Sequence, residues 1–287
     1  MEIGTPFRLL RSMLLSPRTT ERFRSRVDCF ITDTYSTTFL TNERNRDKTR
    51  LLRHGRKIYS QSDEDGIIDE IFKRIGTESR RFIEIGAGDG LENNTLWLLR
   101  QGWSGTWVEG SPELGRQMST KFASVIGNGR LKLITEFVTR ESASRLAKAG
   151  SFSDVDLFSL DIDGNDYHIM TAIETLNARV IVVEYNAKFP PPYRFAMKYD
   201  ENSRWDLTDN FGASLAAWDE LLQTKGYSLV GCNISGSNAF FVRTDLLNGK
   251  FCEPLTPENH YEPARYWLIS GFVSGHAANF GANHFEP

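Results

Sequence analysis

The chain has 287 residues, of which 25% are charged and 40% hydrophobic, and its formal net charge is −3. This composition is typical of a soluble globular protein, and the charge balance gives no basic field for nucleic acid or an anionic membrane. Three widely spaced cysteines form neither a disulfide framework nor a zinc pattern. No apolar run reaches the roughly 18 residues of a transmembrane helix, so we expect a cytoplasmic protein.

The first 56 residues are rich in arginine, as in "RTTERFRSR" and "NERNRDKTRLLRHGRK". They predict a basic helical extension, either solvated and packed on the main domain or presenting a basic face to a membrane surface or anionic polymer. The extension is also a candidate contact for a homodimer. Residues 57–287 are expected to form one domain.

Helical and strand patterns alternate regularly from residue 59 onwards. Apolar periodicity predicts helices at 63–76, 93–102, 111–123, 141–150 and 166–176, and strands at 81–86, 105–110, 131–139, 156–163 and 178–186. Five such alternations imply a parallel sheet covered on both faces. After a further helix at 214–226, "YSLVGCN" and "NAFFVRT" flank the short turn "ISGS", which predicts an antiparallel hairpin. The fold class is therefore α/β and doubly wound, with an antiparallel C-terminal hairpin strand.

A glycine-rich turn, "EIGAGDG" at 84–90, follows the first strand and precedes a helix. Ligands of doubly wound sheets bind at this edge. A dinucleotide site would have GxGxxG, but the glycines spell GxGxG, with Leu91 where the last glycine would stand, and Glu84 and Asp89 would repel a pyrophosphate. Glu109 ends the second strand, where a carboxylate can accept hydrogen bonds from ribose hydroxyls. The pattern indicates a nucleoside with a cationic tail, and S-adenosylmethionine fits that description.

Four motifs carry a resemblance to a known family: "SQSDEDGIIDEIF", "FIEIGAGDGLENNT", "GWSGTWVEG" and "LDIDGNDY". With them the chain resembles the class I S-adenosylmethionine-dependent methyltransferases, and more narrowly the FkbM-type methyltransferases, over about residues 58–245. The resemblance implies a seven-stranded, Rossmann-like sheet whose last strand is antiparallel. It also implies methylation of hydroxyl groups on sugars and secondary metabolites.

The resemblance further implies which residues contact the cofactor. These are Glu84, Gly86, Gly88 and Asp89 at its methionine end, Glu109 at the ribose, Glu136 near the adenine, Asn94 and Thr95 as donors to its carboxylate, and Gln61 with Asp65 closing over it.

The acidic stretch "LDIDGNDY", residues 160–167, allows several interpretations. A calcium loop of EF-hand type is excluded because its glycine and final glutamate would fall at the wrong positions. As a polar turn, Asn165 or Asp166 would cap the following helix. That role leaves Asp161 and Asp163 unexplained, since both come where the fourth strand enters the cleft.

Two chemical roles remain open for these aspartates. Catechol-type O-methyltransferases bind magnesium with similarly placed residues, and by that resemblance Asp161, Asp163, Glu184 and Asn186 would hold Mg²⁺, although "EYN" departs from the adjacent acid–amide pair. Without metal, Asp163 or His168 would be the general base. The catalytic candidates are thus Asp161, Asp163 and His168.

The connection at 184–214 is long and has few periodic apolar residues. Such loops are binding surfaces, lids or ordered structural excursions. Tyr193, Arg194 and Trp205 combine stacking faces with a charged donor, as a carbohydrate or anionic acceptor would require, and His260 is a further candidate for the acceptor pocket.

The sequence thus predicts an S-adenosylmethionine-dependent O-methyltransferase that modifies a hydroxyl of a sugar, polysaccharide or small metabolite. Its partner would be a glycan or small-molecule acceptor, not nucleic acid. The alternative is a catalytically inactive methyltransferase-like module that binds or assembles. A nicotinamide-dependent oxidoreductase is disfavoured by Glu84 and Leu91.

Overall fold

The structure is a computed structural model that describes residues 27, 30, 33–35, 37–148, 154–202 and 205–271, without the side chains of the last two. Predictions for most of the first 36 residues, and for the end of the helix expected at 141–150, lie outside the described residues.

Seven strands form one mixed sheet in the order β3-β2-β1-β4-β5-β7-β6. Strand β7 runs antiparallel to both of its neighbours, and the other pairs are parallel. The strands are β1 (Arg81–Ile85), β2 (Ser104–Glu109), β3 (Leu131–Thr135), β4 (Val155–Leu160), β5 (Ala178–Glu184), β6 (Tyr227–Cys232) and β7 (Asn238–Arg243). This order and the antiparallel hairpin strand confirm the predicted α/β, doubly wound fold of the class I methyltransferase type.

Short helices connect and cover the strands. They are α1 (Glu64–Ile75), α2 (Leu96–Arg100), α3 (Pro112–Lys121), α4 (Ala123–Gly127), α5 (Arg140–Leu146), α6 (Asp166–Ala172), α7 (Leu215–Thr224), α8 (Pro257–His260) and α9 (Trp267–Gly271), with 3₁₀ helices at Glu43–Arg46, Leu51–His54 and Thr244–Leu246. Within the described ranges, no helix has the length and apolarity needed to cross a membrane.

The sheet is buried on both faces. Alternate residues of a strand point to opposite sides, so Ile181 and Val183 of β5 join one apolar cluster while Val180 and Val182 join the other. Both clusters consist of fully or nearly fully buried side chains. Because the strands are apolar on both faces, the polar side chains that could act on a ligand gather at the strand ends.

Several elements are shorter than the sequence predicts, among them β4, which ends at Leu160 rather than at residue 163, and α6, which ends at Ala172 rather than at residue 176. Strand β3 ends at Thr135 rather than at residue 139, because its partner β2 ends at Glu109, the residue opposite. Helix α2 begins at Leu96 rather than at residue 93, because the Asn93 side-chain oxygen accepts hydrogen bonds from the backbone N–H of Thr95 and Leu96. The polar residues before α2 therefore form a turn.

Part of the arginine-rich extension packs on the C-terminal segment. Arg44 forms an ion pair with the buried Glu262, and the Arg50 guanidinium donates to the backbone oxygen of Asn259 at 2.9 Å. Leu51 is fully buried in the core. The domain boundary at residue 57 and a dimer contact of the extension stay predictions.

Candidate active site

The glycine turn after β1 requires left-handed backbone conformations. Gly86, Gly88 and Gly90 have φ of +90°, +60° and +77°, a region that favours glycine. A Cβ on Gly86 would lie 1.5 Å from the backbone oxygen of Asp161, so β1 and β4 meet here at backbone contact. A Cβ on Gly88 would meet nothing within 4 Å. The turn therefore contacts the acidic stretch after β4 at Gly86, and it borders open space at Gly88.

Glu84 is buried in β1 and accepts hydrogen bonds from the two residues just before α2. One carboxylate oxygen accepts from the backbone N–H of Asn94 at 2.9 Å and the other from the Thr95 hydroxyl, which itself accepts from the Trp107 indole N–H at 2.7 Å. Burial is the main reason that the pKa of Glu84 rises to about 7. The folded chain therefore keeps the proton of Glu84 up to a higher pH than an exposed glutamate does.

The structure corrects the role predicted for Asn94 and Thr95. Their donors were expected to reach the cofactor carboxylate, but the Thr95 hydroxyl and the Asn94 backbone N–H both bind Glu84. The Asn94 side-chain amide donates to the Ser159 hydroxyl at 3.1 Å. Both residues therefore hold β1, β4 and α2 together.

Glu109 ends β2 beside the glycine turn, and its side chain organises the turn. One carboxylate oxygen accepts from the backbone N–H of Gly88 at 2.9 Å, and the other accepts from that of Ser111 at 2.7 Å. A carboxylate oxygen can accept more than one hydrogen bond. Glu109 therefore has capacity left for two further donors, as a ribose diol would offer.

Two other predicted cofactor residues already have side-chain partners, and a third is exposed. Asp89 accepts from the backbone N–H of Leu91 at 2.9 Å and pairs with Lys121. Glu136 forms an ion pair with Arg145, and its backbone N–H donates to the backbone oxygen of Glu109. Gln61 is exposed. Contacts of these three side chains with a cofactor stay predictions.

Three carboxylates meet where β4 and β5 end. One oxygen from each of Asp161, Asp163 and Glu184 lies within 4.8 Å of the others. Burial, with repulsion from neighbouring carboxylates, raises the pKa of Asp161 and of Glu184 well above the usual range, and burial also raises that of Asp163. We call these three residues the carboxylate cluster.

Within the cluster, the Glu184 oxygen Oε2 is buried and has no hydrogen-bond partner in the described part of the chain. Asp163 has φ of +54°, a strained conformation for a residue with a side chain. Uncompensated negative charge at this point is unfavourable, so the cluster needs shared protons or a cation.

The turn after β4 is stabilised differently from the prediction. Neither Asn165 nor Asp166 caps α6 with its side chain. Asp166 instead accepts from the backbone N–H of Ile162 at 2.7 Å and of Gly164 at 2.9 Å, which fixes the loop carrying the carboxylate cluster. The Asn165 amide donates to the backbone oxygen of Asp200 at 2.7 Å.

His168 is a poor general base in this structure, contrary to the prediction. Its Nδ1 lies 2.9 Å from an Arg140 guanidinium nitrogen, and its Nε2 lies 2.7 Å from the backbone oxygen of Met197. The tautomer with hydrogen on Nε2 satisfies both contacts, because arginine can only donate and a carbonyl can only accept. Neither ring nitrogen then has a lone pair for a substrate proton.

Asn186 also departs from its predicted role as a metal ligand. Its amide nitrogen donates to the backbone oxygens of Asp209 at 2.8 Å and Phe211 at 3.0 Å, and its side-chain oxygen accepts from the backbone N–H of Lys188. The side chain is 1% exposed. It anchors the 184–214 loop.

The candidate acceptor residues divide into exposed and buried ones. Tyr193 and Trp205 are exposed, and Arg194 forms an exposed ion pair with Glu220. His260 corrects the prediction: it is buried, its Nε2 contacts the backbone oxygen of Cys252 at 3.0 Å, and burial lowers its pKa to about 3. It is a neutral structural residue.

No sequence pattern singles out Tyr266. Burial, with the charge of Glu184, raises the pKa of its phenol to about 12. The backbone N–H of Arg265 donates to the oxygen of Ser235 in the β6–β7 turn, which holds this segment at the edge of β5. Only the aromatic pair "YW" after Arg265 could have drawn attention to it.

The fold is similar to those of several solved structures. A putative caffeoyl-CoA O-methyltransferase from Staphylococcus aureus is 12% identical over 75% of this chain and 98% of that one, with a TM-score of 0.46. Magnesium protoporphyrin IX methyltransferase (ChlM) from Synechocystis PCC 6803, with bound SAH, is 14% identical over 75% and 98%, with a TM-score of 0.43. The N-terminal domain of EvdMO1, also with bound SAH, is 15% identical over 63% and 79%, with a TM-score of 0.38.

No protein-family model and no curated protein matches the chain. Similarity to the solved structures at this level concerns the fold alone, so function has to be inferred from the residues of the site.

Proposed function

We propose that the protein is an S-adenosylmethionine-dependent methyltransferase that transfers a methyl group to a hydroxyl of a sugar, polysaccharide or small metabolite. The proposal rests on the contact between the glycine turn after β1 and the acidic loop after β4, at one edge of the sheet. The glycine turn, with Glu84 and Glu109 on either side, touches the backbone of Asp161 in the carboxylate cluster. A cofactor beside the turn would therefore present its reactive end near the acids.

The chain offers a cofactor site of the required chemistry. Open space beside Gly88 leaves room for a ligand close to the backbone, and Glu109 can accept from the two ribose hydroxyls. Buried carboxylates near the turn favour a ligand with positive charge. S-adenosylmethionine combines a ribose with a sulfonium and an ammonium group. The class I fold and the resemblance to FkbM-type methyltransferases support the same cofactor.

Methyl transfer needs alignment of the acceptor and removal of its proton. When bound, S-adenosylmethionine supplies both the methyl group and a sulfide leaving group, so a carbon–oxygen bond forms as a carbon–sulfur bond breaks. The acceptor hydroxyl gives its proton to a carboxylate of the cluster. Burial and repulsion between the acids raise the pKa of Asp161 and of Glu184, so either carboxylate, once ionised, is a stronger base than an exposed one.

We further propose that the carboxylate cluster holds a divalent cation such as Mg²⁺. Its three oxygens are ligands that magnesium prefers, and among the described residues no donor reaches Glu184 Oε2 to compensate its charge. A bound cation would lower the pKa of an acceptor hydroxyl. The metal-free alternative, in which the cluster alone accepts the proton, stays open.

One experiment tests turnover and metal use together. Purified protein is incubated with methyl-labelled S-adenosylmethionine and a panel of glycans and hydroxylated metabolites, with Mg²⁺ or with EDTA. We expect label in an acceptor, lost in Asp161→Asn, and suppressed by EDTA if the cation is required. Cofactor binding without transfer to any acceptor, together with no loss of biological function in Asp163→Ala, would favour the inactive binding module.

A further inference from the structure

A buried amide lies on the strand next to β5, beside the carboxylate cluster. Asn238 begins β7, directly opposite Glu184 in the antiparallel pair of β5 and β7, and it is 3% exposed. Residues opposite each other in such a pair point to the same face of the sheet, with Cβ atoms about 4.5 to 5.5 Å apart. Val182 and Phe240, which pair two residues further along, both belong to the apolar cluster on that face. The side chains of Asn238 and Glu184 therefore lie next to each other.

Hydrogen bonds fix which end of the Asn238 amide is free. Its nitrogen donates to Glu64 Oε1 at 2.9 Å, and the same oxygen accepts from the Asn233 amide at 2.7 Å. The other Glu64 oxygen accepts from the backbone N–H of Ser62 at 2.8 Å. An ionised carboxylate accepts and cannot donate, so the NH₂ group of Asn238 has to face Glu64. The Asn238 oxygen Oδ1 is buried and has no hydrogen-bond partner in the described part of the chain.

Two adjacent side chains thus each have a buried acceptor that no donor of the described residues reaches, Asn238 Oδ1 and Glu184 Oε2. Such an acceptor costs free energy, and two acceptors cannot satisfy each other. A donor or a cation between them would remove the cost for both. One oxygen each of Asp161 and Asp163 lies within 4.8 Å of a Glu184 oxygen, so the surrounding negative charge favours a cation. Carboxylate and amide oxygens both suit Mg²⁺ and Mn²⁺.

We propose that Asn238 Oδ1 is a fourth protein ligand of the divalent cation, together with the oxygens of the carboxylate cluster. This assignment rests on the proposed function, because it requires the cation proposed there. It places the amide ligand on β7 rather than after β5, where the Asn186 amide anchors the 184–214 loop. Glu64 is then a positioning residue: by holding the NH₂ group of Asn238, it leaves Oδ1 for the cation.

Titration of the metal-free protein with Mn²⁺ tests the assignment without cofactor or acceptor, since electron paramagnetic resonance reports the free ion. Asn238→Ala removes the free oxygen, while Glu64 keeps its donors from Asn233 and Ser62. We expect Mn²⁺ to bind on the order of 10- to 100-fold more weakly in this variant. Asn238→Asp keeps an oxygen ligand and adds a negative charge, so it should bind Mn²⁺ at least as tightly as wild type. A purely structural role of the amide would not give that recovery.

Ser235→Ala is the matched control. The Ser235 hydroxyl belongs to the same buried network, where it contacts Asn233 and Ser237, so this variant should keep the wild-type affinity for Mn²⁺. Should Asn238→Ala fail to fold, Asn238→Leu fills the same space without an oxygen, and the same loss is expected.

Three results would overturn the assignment. Unchanged Mn²⁺ affinity in a folded Asn238→Ala or Asn238→Leu overturns it alone, as does binding in Asn238→Asp that is as weak as in Asn238→Ala. Wild-type protein that binds no Mn²⁺ overturns it together with the proposed cation. Methyl transfer itself is judged separately, by binding of S-adenosylhomocysteine and by label transfer in EDTA, so failure of the assignment and failure of the proposed function are distinguishable.

Discussion

Glu84 makes the stability of the protein depend on pH in a direction that can be derived. Its carboxyl group is buried in β1, and its pKa rises from 4.5 to about 7, mainly because of burial. The folded chain therefore retains a proton that the unfolded chain releases at lower pH. Between those two pKa values, the free energy of unfolding falls as the pH rises.

The magnitude follows from the shift in the pKa of Glu84. One pKa unit corresponds to about 1.4 kcal/mol, so the full shift is worth about 3 kcal/mol, of which about 2 to 3 kcal/mol is lost between about pH 5 and about pH 8. Other buried acids titrate in the same range, including Asp166, whose pKa is about 6. The difference between wild type and Glu84→Gln isolates the contribution of Glu84.

Urea unfolding of both proteins at the two pH values measures the effect. Glutamine keeps an oxygen acceptor for Asn94 or Thr95 and cannot ionise, so Glu84→Gln should lose less stability than wild type on going to high pH. Glu113→Gln, on the exposed face of α3, should behave as wild type. Parallel pH profiles for wild type and Glu84→Gln would refute the argument that burial keeps Glu84 protonated.

Three further predictions test other parts of the site. Asp161→Asn removes one of three repelling acids, so it should raise the free energy of unfolding of the metal-free protein by about 1 kcal/mol or more, measured in urea, and weaken Mn²⁺ binding. Gly86→Ala places a Cβ 1.5 Å from the Asp161 oxygen and should lower that free energy by about 3 kcal/mol or more. His168→Gln should keep S-adenosylhomocysteine formation within about fivefold, whereas loss of a general base would cost on the order of 100-fold or more.

The fold could be predicted from the sequence because its signals are local. Strands such as β5 are apolar on both faces, and the turn "ISGS" is too short for anything but a hairpin. The glycine turn could also be predicted, because the chain needs positive φ at Gly86, Gly88 and Gly90. The ends of helices and strands were harder to predict, since β3 ends only where its partner β2 does.

The sequence predicted which residues lie near the site, but not the directions in which their side chains point. Because the carboxyl ends of parallel strands meet at one edge of a sheet, Asp161, Asp163 and Glu184 were expected to lie together there. Sequence could not indicate that the Thr95 hydroxyl turns inward to Glu84, or that His260 is buried against Cys252. Those outcomes depend on contacts between distant segments, which leave no periodic pattern.

The pairing of His168 illustrates the same limit. Its place on α6 near the acids favoured a catalytic role, yet Arg140 and Met197 occupy both ring nitrogens. Met197 belongs to the loop after β5, and its approach to α6 follows from tertiary packing alone.

The central claim is that the glycine turn and Glu109 bind the nucleoside of S-adenosylmethionine. Titration calorimetry of wild type and Glu109→Ala with S-adenosylhomocysteine tests it most directly. We predict binding at micromolar concentrations by wild type and a loss of about tenfold or more in Glu109→Ala, because two acceptors for ribose hydroxyls are removed. No heat of binding in wild type, or equal affinity in the two proteins, would contradict the claim.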